Sequence, residues 1–172
     1  MRIIAGTHRG HTIHAPPGTD TRPTSDRVRE NVFNILGPVD GASVLDLYAG
    51  SGAMGLEALS RGAERAVFVE RDPDAARVIE RNLDKLRLRG TVLRRDAVSV
   101  LASETRKYDL VLVDPPYDMY LDVQPQLARY VPGVLTEDGV VVVETGARIE
   151  PELPLPLRTS RKYGAARITV YG

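Results

Sequence analysis

Two short stretches combine residue types and spacings that can do chemistry. The first, at 44–55, is an apolar run that reaches Asp46 and continues into the spacing Gly50-x-Gly52-x-x-Gly55. Glycine has no Cβ, so the backbone N–H groups of such a turn can approach a bound molecule closely. The spacing alone is weak evidence, because it fits the general dinucleotide fingerprint. A second stretch makes it informative, and it reads Asp114-Pro115-Pro116-Tyr117.

The second stretch can prepare an amino nitrogen for methylation. The exocyclic amine of a base is a poor nucleophile, since its lone pair is delocalised into the ring. Hydrogen bonds from its N–H groups to the Asp114 carboxylate and to a backbone carbonyl near Pro115 favour a pyramidal nitrogen. The prolines hold that carbonyl in place, and the Tyr117 ring offers a stacking surface for the base. The simpler interpretation is a turn that only ends a strand. Because the stretch occurs together with the glycine turn, the catalytic interpretation is favoured.

Acidic residues lie at or just beyond the end of every predicted core strand: Asp46, Glu70, Asp96, Asp114 and Glu144. In open α/β sheets, ligands bind beyond the carboxyl ends of the strands. Glu70 follows Asp46 by about the interval at which a ribose-binding acid is found, and Asp96 can accept from an adenine amine. The stretch 46–55 has no Lys or Arg, unlike a phosphate-binding loop. The pattern predicts a phosphate-free, cationic cofactor, S-adenosylmethionine.

The elements that position these residues alternate in the manner of an α/β fold. Core strands are predicted at 44–47, 66–69, 91–94, 109–113 and 140–143, with helices between them. The near-continuous apolar runs of several strands indicate parallel strands buried on both faces. A helix capped by Thr24 or Ser25 precedes the first strand and stops at Gly37. A turn at 137–139 leads into the fifth strand, and 157–163 with 167–171 finish one sheet edge.

The first residues form a separate arm in this interpretation. Residues 1–14 are predicted as a β-hairpin around a glycine-bounded turn, and 15–18 as a linker. The predicted division is therefore an arm and linker at 1–20 and one catalytic domain at 21–172. Residues 1–29 carry five arginines against two aspartates, whereas the whole chain has a formal net charge of zero. A basic arm on a slightly acidic body indicates a contact with nucleic acid.

Composition excludes several other classes of protein. The 172 residues suffice for one domain with a substantial core. The chain has no cysteine, so disulfides, thiolate metal sites and cysteine nucleophiles are excluded. The three histidines have no carboxylate cluster beside them, and we expect no metal. With neither a long apolar run nor a signal peptide, the chain is predicted to be cytoplasmic.

The residues above carry a resemblance to known enzymes. The stretches 46–52 and 114–117 resemble the cofactor and amino-methylation motifs of the N6-adenine/N2-guanine methyltransferases. The whole chain resembles the RsmD family, the 16S ribosomal RNA guanine-N2 methyltransferases. That resemblance also rests on the segments 2–6, 22–24, 27–30 and 162–164. Members of the family often have Phe in place of Tyr48, and more Lys in the arm.

The resemblance implies a Rossmann-like class I methyltransferase with a seven-stranded, mostly parallel sheet and an antiparallel last strand. It implies that the segment at 22–24 closes over the methionine end of the cofactor. The implied target is one guanine N2 of 16S rRNA within an assembled small subunit, reached after the base leaves its stack. We expect the protein to be a monomer without a stable protein partner. The implied catalytic residues are Asp114, Pro115, Pro116 and Tyr117; those that bind the cofactor are Thr24, Asp46, Tyr48, Ala49, Gly50, Ser51, Gly52, Glu70, Arg71, Asp96, Ala97 and Asp114; those that bind RNA are Arg2, Arg9, Arg22 and Arg27.

Three alternatives stay open on the sequence. An N6-adenine DNA methyltransferase uses the same two motifs. However, such an enzyme has a target-recognition domain that reads the DNA sequence, and this chain is too short to contain one of ordinary size. A nicotinamide-dependent oxidoreductase shares the glycine fingerprint, but the stretch at 114–117 and the lack of a substrate domain argue against it. A ribosome assembly factor that binds RNA without catalysis would keep its activity when Asp114 is replaced by alanine.

Overall fold

The computed structural model describes residues 1–17 and 25–172. Its helices are α1 (Asp26–Leu36), α2 (Ala53–Ser60), α3 (Pro73–Leu86), α4 (Ala97–Ser103) and α5 (Tyr120–Tyr130), with 3₁₀ turns at Tyr117–Met119 and Val131–Val134. Its strands are β1 (Ser43–Leu47), β2 (Arg65–Val69), β3 (Thr91–Leu93), β4 (Tyr108–Val113), β5 (Leu135–Gly146), β6 (Leu157–Tyr163) and β7 (Ala166–Tyr171). The predicted alternation of strands and helices is confirmed.

All seven described strands form one sheet in the order β3-β2-β1-β4-β5-β7-β6. The first five strands are parallel to their neighbours, and β7 is antiparallel to both β5 and β6. The predicted mostly parallel sheet with an antiparallel last strand is therefore confirmed. Because strand β7 inserts between β5 and β6, the two final strands do not simply extend the sheet in chain order.

Helices cover both faces of the sheet, and the strands divide their side chains between them. Along β4, Leu110 and Leu112 contact the cluster under α1, α2 and α3, whereas Val111 and Val113 contact the cluster under α4 and α5. Strands buried on both faces need apolar side chains at successive positions. This requirement explains the continuous apolar runs of β2, β4 and β5.

Local signals set most element boundaries, with one exception. Ser25 caps α1 by accepting a hydrogen bond from the Val28 N–H at 3.1 Å, and Asp72 caps α3 through the Ala75 N–H at 3.1 Å. The alternative cap, Thr24, lies outside the described residues. The predicted turn at 137–139 is instead part of β5, where the register against β4 shifts between Tyr108 and Leu110. A bulge accommodates the extra residues and lets the strand continue.

The arm pairs over a shorter length than predicted. Residues 1–14 turn back on themselves with one isolated antiparallel bridge, between Arg2 and Thr12, and with hydrogen bonds across the turn such as that from the Ile3 N–H to the His11 carbonyl at 2.9 Å. Its order comes from the domain, since Ile3 and Ile13 are buried in the core beside α1 and α2. At Gly6, with φ +88°, an added Cβ would lie 1.8 Å from the Ser60 carbonyl oxygen. The arm therefore docks backbone against backbone, and short paired strands alone would not hold it.

A buried carboxylate joins the arm to two helices. Glu57, in the middle of α2, accepts hydrogen bonds from the N–H groups of Ile4 and Ala5 at 2.8 and 3.1 Å. The same carboxylate pairs with Arg29 of α1 at 3.2 Å and with Arg61 at 2.9 Å. The side chains of Glu57 and Arg29 are fully buried. Removing the Glu57 carboxylate from water is costly, and these hydrogen bonds and ion pairs offset the cost. Loss of a partner would therefore leave the buried charge less well compensated.

We expect Glu57→Gln to lower the free energy of unfolding by about 3–5 kcal/mol, because the change removes the buried carboxylate that pairs with Arg29 and leaves the partly exposed Asp26, at 2.9 Å, as its counter-charge. Urea unfolding followed by circular dichroism measures the loss. Glu64→Gln, at an exposed position in the turn before β2, is the matched control and should change the value by less than about 0.5 kcal/mol. Equal losses in both variants would contradict the role assigned to Glu57.

Candidate active site

A cleft of about 930 Å³ opens at the carboxyl ends of β1, β2, β4 and β5. This is where a doubly wound sheet binds its ligand. The cleft brings together most of the residues expected to act on the cofactor or the substrate. Those that line it are Asp46, Tyr48, Ala49, Gly50, Ser51, Glu70, Arg71, Asp96, Ala97, Asp114, Pro115, Pro116 and Tyr117.

The glycines of the turn after β1 differ in role: one lines the cleft, and two allow close packing of α2. Gly50, with φ +58°, lines the cleft and has open space where a Cβ would stand. Gly52, expected to bind the cofactor, is buried outside the cleft, where it precedes α2 with φ +81°. A Cβ on Gly55 would lie 2.4 Å from the Phe68 ring. The last two glycines therefore let α2 pack on β2, and the first is the one that meets a ligand.

Glu70, just beyond β2, holds the glycine turn. Its carboxylate accepts from the Gly50 N–H at 2.8 Å through one oxygen and from the Asp72 N–H at 2.9 Å through the other. A carboxylate offers about four acceptor positions, so two remain for ribose hydroxyl groups. The predicted ribose acid thus also sets the shape of the glycine turn.

Asp96 has a comparable double role at the start of α4. One of its oxygens, Oδ2, caps the helix by accepting from the N–H of Ser99 at 3.0 Å. This anchoring fixes the carboxylate at the rim of the cleft, in keeping with the residue's position among the lining. The second oxygen is the one that can accept from an adenine amino group.

The electrostatics of the cleft centre on Asp46. Removal from water raises its pKa from 3.8 to about 8, against the opposing hydrogen bond from the Gly55 N–H at 3.0 Å. The nearby Glu70 charge raises the pKa further. Two carboxyl groups that cannot easily ionise together attract a cation, because a positive ligand stabilises the ionised form.

Tyr48 occupies a position that favours glycine. Its backbone has φ 59°, and among the described residues its buried hydroxyl has no hydrogen-bond partner. Burial raises the pKa of this hydroxyl to about 12, the Asp96 charge adds to the rise and Arg71 opposes it. A buried donor beside a cleft is a group that a polar ligand can satisfy.

The stretch 114–117 faces the same cleft. Asp114 and Tyr117 are half-buried there, and Pro115 is buried. The carbonyl of Pro116 accepts from the Met119 N–H at 2.9 Å within the 3₁₀ turn. Of the two prolyl carbonyls, that of Pro115 is therefore the candidate acceptor for a substrate amine. The Tyr117 ring lies beside Gly146 at the end of β5, where an added Cβ would be 3.4 Å from the ring.

A buried asparagine that sequence reasoning missed connects the arm to the glycine turn. Asn82 of α3 accepts from the His14 N–H at 2.8 Å and donates to the His14 carbonyl at 3.0 Å. Its amide also donates to the Ser51 carbonyl at 3.1 Å. The only signal in the sequence was a polar residue on the buried face of an amphipathic helix.

The three expected RNA-binding arginines that the structure describes lie apart from the cleft. Arg2, Arg9 and Arg27 are exposed and do not line it. Arg22 and Thr24 lie outside the described residues. His8, in the basic arm, interacts through Nε2 with the Leu86 carbonyl at 2.7 Å and so anchors the arm to α3.

The described part of the chain has neither a cluster of metal ligands nor a helix that could span a membrane. Residues 1–17 and 25–172 contain no group of three or more His, Asp or Glu side chains placed to hold a metal ion. None of the helices within these ranges combines the length and apolar character that crossing a membrane requires.

Comparison with known proteins gives a consistent result. "Ribosomal RNA small subunit methyltransferase D" of Escherichia coli is 38% identical over 156 residues, covering 90% of this chain and 78% of that protein. The solved structure "Putative methyltransferase yhhF from Escherichia coli" has a TM-score of 0.87 at 33% identity, covering 99% of this chain and 96% of that one. A Thermus thermophilus "16S rRNA N2 G1207 methyltransferase (RsmC) in complex with AdoMet and Guanosine" shares the fold, with a TM-score of 0.78 at 23% identity over 99% of this chain and 48% of that one.

A family model described as "Conserved hypothetical protein 95" matches residues 1–172, the full length of the sequence. The fold, the cleft and the sequence relatives therefore agree with the resemblance drawn from the motifs. The chain belongs to this family, the RsmD family, and has the Rossmann-like fold of the class I methyltransferases.

Proposed function

We propose that this protein transfers a methyl group from S-adenosylmethionine to the exocyclic N2 of one guanine in 16S rRNA, within an assembled small subunit. The observation that carries the proposal is the position of Asp114-Pro115-Pro116-Tyr117, which faces the same cleft as Gly50 and Glu70. Relatives named as small-subunit rRNA methyltransferases support the substrate class. A neighbour of the same fold, named for N2 of a guanine, supports the choice of atom.

The residues of the cleft fit S-adenosylmethionine. Gly50 offers a turn that a Cβ would obstruct, and Glu70 retains acceptor positions for ribose hydroxyls. The buried Tyr48 hydroxyl lacks a partner among the described residues. Asp46 is desolvated, so a cationic ligand gains from its ionised form. When bound, the cofactor supplies an electrophilic methyl carbon on a sulfonium ion.

The protein's task is then to present the nucleophile. The Asp114 carboxylate and the Pro115 carbonyl accept hydrogen bonds from the two N–H groups of guanine N2, which localises the nitrogen lone pair. The nitrogen–carbon bond forms as the carbon–sulfur bond breaks, the bonding pair stays on sulfur, and the nitrogen sheds one proton. The Asp114 carboxylate is the acceptor beside that proton. Tyr117 stacks on the flipped base, and positioning supplies most of the rate.

The direct test is methyl transfer from labelled S-adenosylmethionine to unmethylated small subunits, free 16S rRNA and duplex DNA, followed by nucleoside identification. We expect N2-methylguanosine, with the small subunit as the better substrate. A label confined to adenine of DNA would overturn the target. Cofactor binding without any transfer would overturn catalysis and favour an assembly factor.

Asp114→Asn should lower kcat by about 10²-fold or more, because the amide can accept only weakly and adds a donor that faces the amine. The dissociation constant of S-adenosylmethionine, measured by calorimetry, should change less than about threefold. The matched control is Asp122→Asn, at an exposed position of α5, which should retain full activity. A large loss of cofactor binding in Asp114→Asn would show that the residue has a different role.

Glu70→Gln should weaken binding of S-adenosylmethionine by about 10- to 100-fold, the range for a lost charge-assisted hydrogen bond of 1.5–3 kcal/mol. The reason is twofold, since the change affects both the ribose acceptor and the N–H of Gly50. Calorimetry measures the affinity, and Glu137→Gln, exposed on β5, is the control. Unchanged affinity in Glu70→Gln would contradict the assignment.

Cofactor affinity should depend on pH through Asp46. Because its pKa is raised to about 8, the carboxyl is mostly protonated below that pH, and a bound cation favours its ionised form. Affinity for S-adenosylmethionine should therefore rise with pH, by at most about tenfold per unit for one released proton, and level off above about 8. Asp46→Asn should flatten the profile, and S-adenosylhomocysteine, which lacks the sulfonium charge, should show a weaker dependence. Superimposable profiles for Asp46→Asn and the original protein would contradict this role.

A further inference from the structure

A second cavity, of about 400 Å³, lies between α1 and the edge strand β6. We name it the α1–β6 groove and define it by Asn31 and Asn34 of α1, with Arg158, Arg161 and Tyr163 of β6. The two asparagines present amide groups along one wall, and the arginines and the tyrosine present charge and an aromatic ring along the other. Neither the glycine turn nor the stretch at 114–117 contributes to this groove.

The groove is basic although the protein as a whole is neutral. None of its lining residues is acidic, and β6 contains three basic residues and no acid. Arg158 donates through Nε to the Gly172 carbonyl oxygen at 2.7 Å. Arg161 is exposed and makes no ion pair with a carboxylate of the described residues. An exposed guanidinium without a carboxylate partner, such as that of Arg161, suits a phosphate, which its planar fork can bind through two hydrogen bonds.

The groove lies two strands across the sheet from Glu144 of the active-site cleft. Glu144 of β5 pairs with Ile168 of β7, which pairs with Arg161 of β6. Paired residues of neighbouring strands point to the same face, and two strand spacings amount to about 10 Å. Glu144 and Ile168 line the cleft, whereas Arg161 lines the groove. Helix α1 borders both, through Val32 on the cleft side and Asn31 on the groove side.

We propose that the α1–β6 groove binds the single-stranded RNA next to the methylated nucleotide. Arg161 contacts a phosphate, the amides of Asn31 and Asn34 contact phosphate or ribose hydroxyl groups, and Tyr163 stacks on an unpaired base. Each of these contacts is typical of proteins that hold unpaired RNA. The inference rests on the proposed function and adds a second RNA contact, on the opposite end of the sheet from the arm's anchor on α3.

The two faces of β6 provide a matched pair of variants. Arg161 points into the groove, whereas its neighbour Lys162 pairs with Arg167 and points to the other face of the sheet. Both are exposed, so Arg161→Glu and Lys162→Glu make the same charge change on one strand without disturbing the core. Asn34→Asp, a nearly isosteric change at an exposed position, places a negative charge on the other wall.

The measurements are the affinity of each variant for unmethylated small subunits and 16S rRNA at several salt concentrations, and the kinetics of methyl transfer. We expect Arg161→Glu and Asn34→Asp to weaken RNA binding and raise KM by about three- to tenfold, with kcat nearly unchanged. For Arg161→Glu, the slope of log affinity against log salt should fall by about one, as for a lost phosphate contact. Lys162→Glu should change affinity less than about twofold, and all variants should bind S-adenosylmethionine as before.

Each result decides the proposal. Equal losses for Arg161→Glu and Lys162→Glu would overturn it, because a general charge effect would then explain the binding. Unchanged RNA affinity in Arg161→Glu, with normal methylation by the original protein, would overturn the groove and leave the proposed function intact. If the original protein methylates no RNA, the proposed function fails and the inference fails with it. Weaker binding of small subunits but not of free rRNA would also overturn it and indicate a ribosomal protein as the partner.

Discussion

The structure depends above all on the buried carboxylate of Glu57. This one group accepts from two N–H groups of the arm and pairs with an arginine from α1 and one beyond α2. Taking these charges out of water is costly, and the cost is offset only when all partners are in place. The arm, α1 and α2 therefore form together. An arm that lacks strands of its own thus becomes a fixed part of the domain.

The contacts of Glu57 also help to fix the active site, because α2 and the arm are both connected to the glycine turn. Helix α2 begins directly after the glycine turn, and Asn82 joins the end of the arm to the Ser51 carbonyl in the same turn. The arm that the sequence predicts to contact RNA and the turn proposed to bind the cofactor are thus connected by direct hydrogen bonds. Because closely packed groups move little relative to one another, the arm and the glycine turn keep a constant relation.

The acidic residues at the strand ends share a location but differ in environment. Asp46 is desolvated and its pKa is raised to about 8, whereas Glu70 accepts two backbone N–H groups and Asp96 caps α4. Asp114 is half-buried at the wall where the substrate base is proposed to enter. Environment thus separates otherwise similar carboxyl groups: Asp46 responds to a nearby cation, Glu70 and Asp96 are anchored acceptors, and Asp114 is the proposed partner of the substrate amine.

The alternation of elements, the buried parallel strands and the position of the cleft follow from local patterns in the sequence. Apolar runs report burial on both faces, and parallel strands bring their carboxyl ends to one edge, so Asp46, Glu70 and Asp114 had to meet. The tertiary structure was needed to place β7 between β5 and β6, to leave the arm with a single bridge and to give Gly52 its packing role. It alone brought Glu57 to Arg29 and created the α1–β6 groove. The physical reason is that local patterns record which faces are buried, whereas contacts between distant segments depend on which surfaces fit together once the chain is compact.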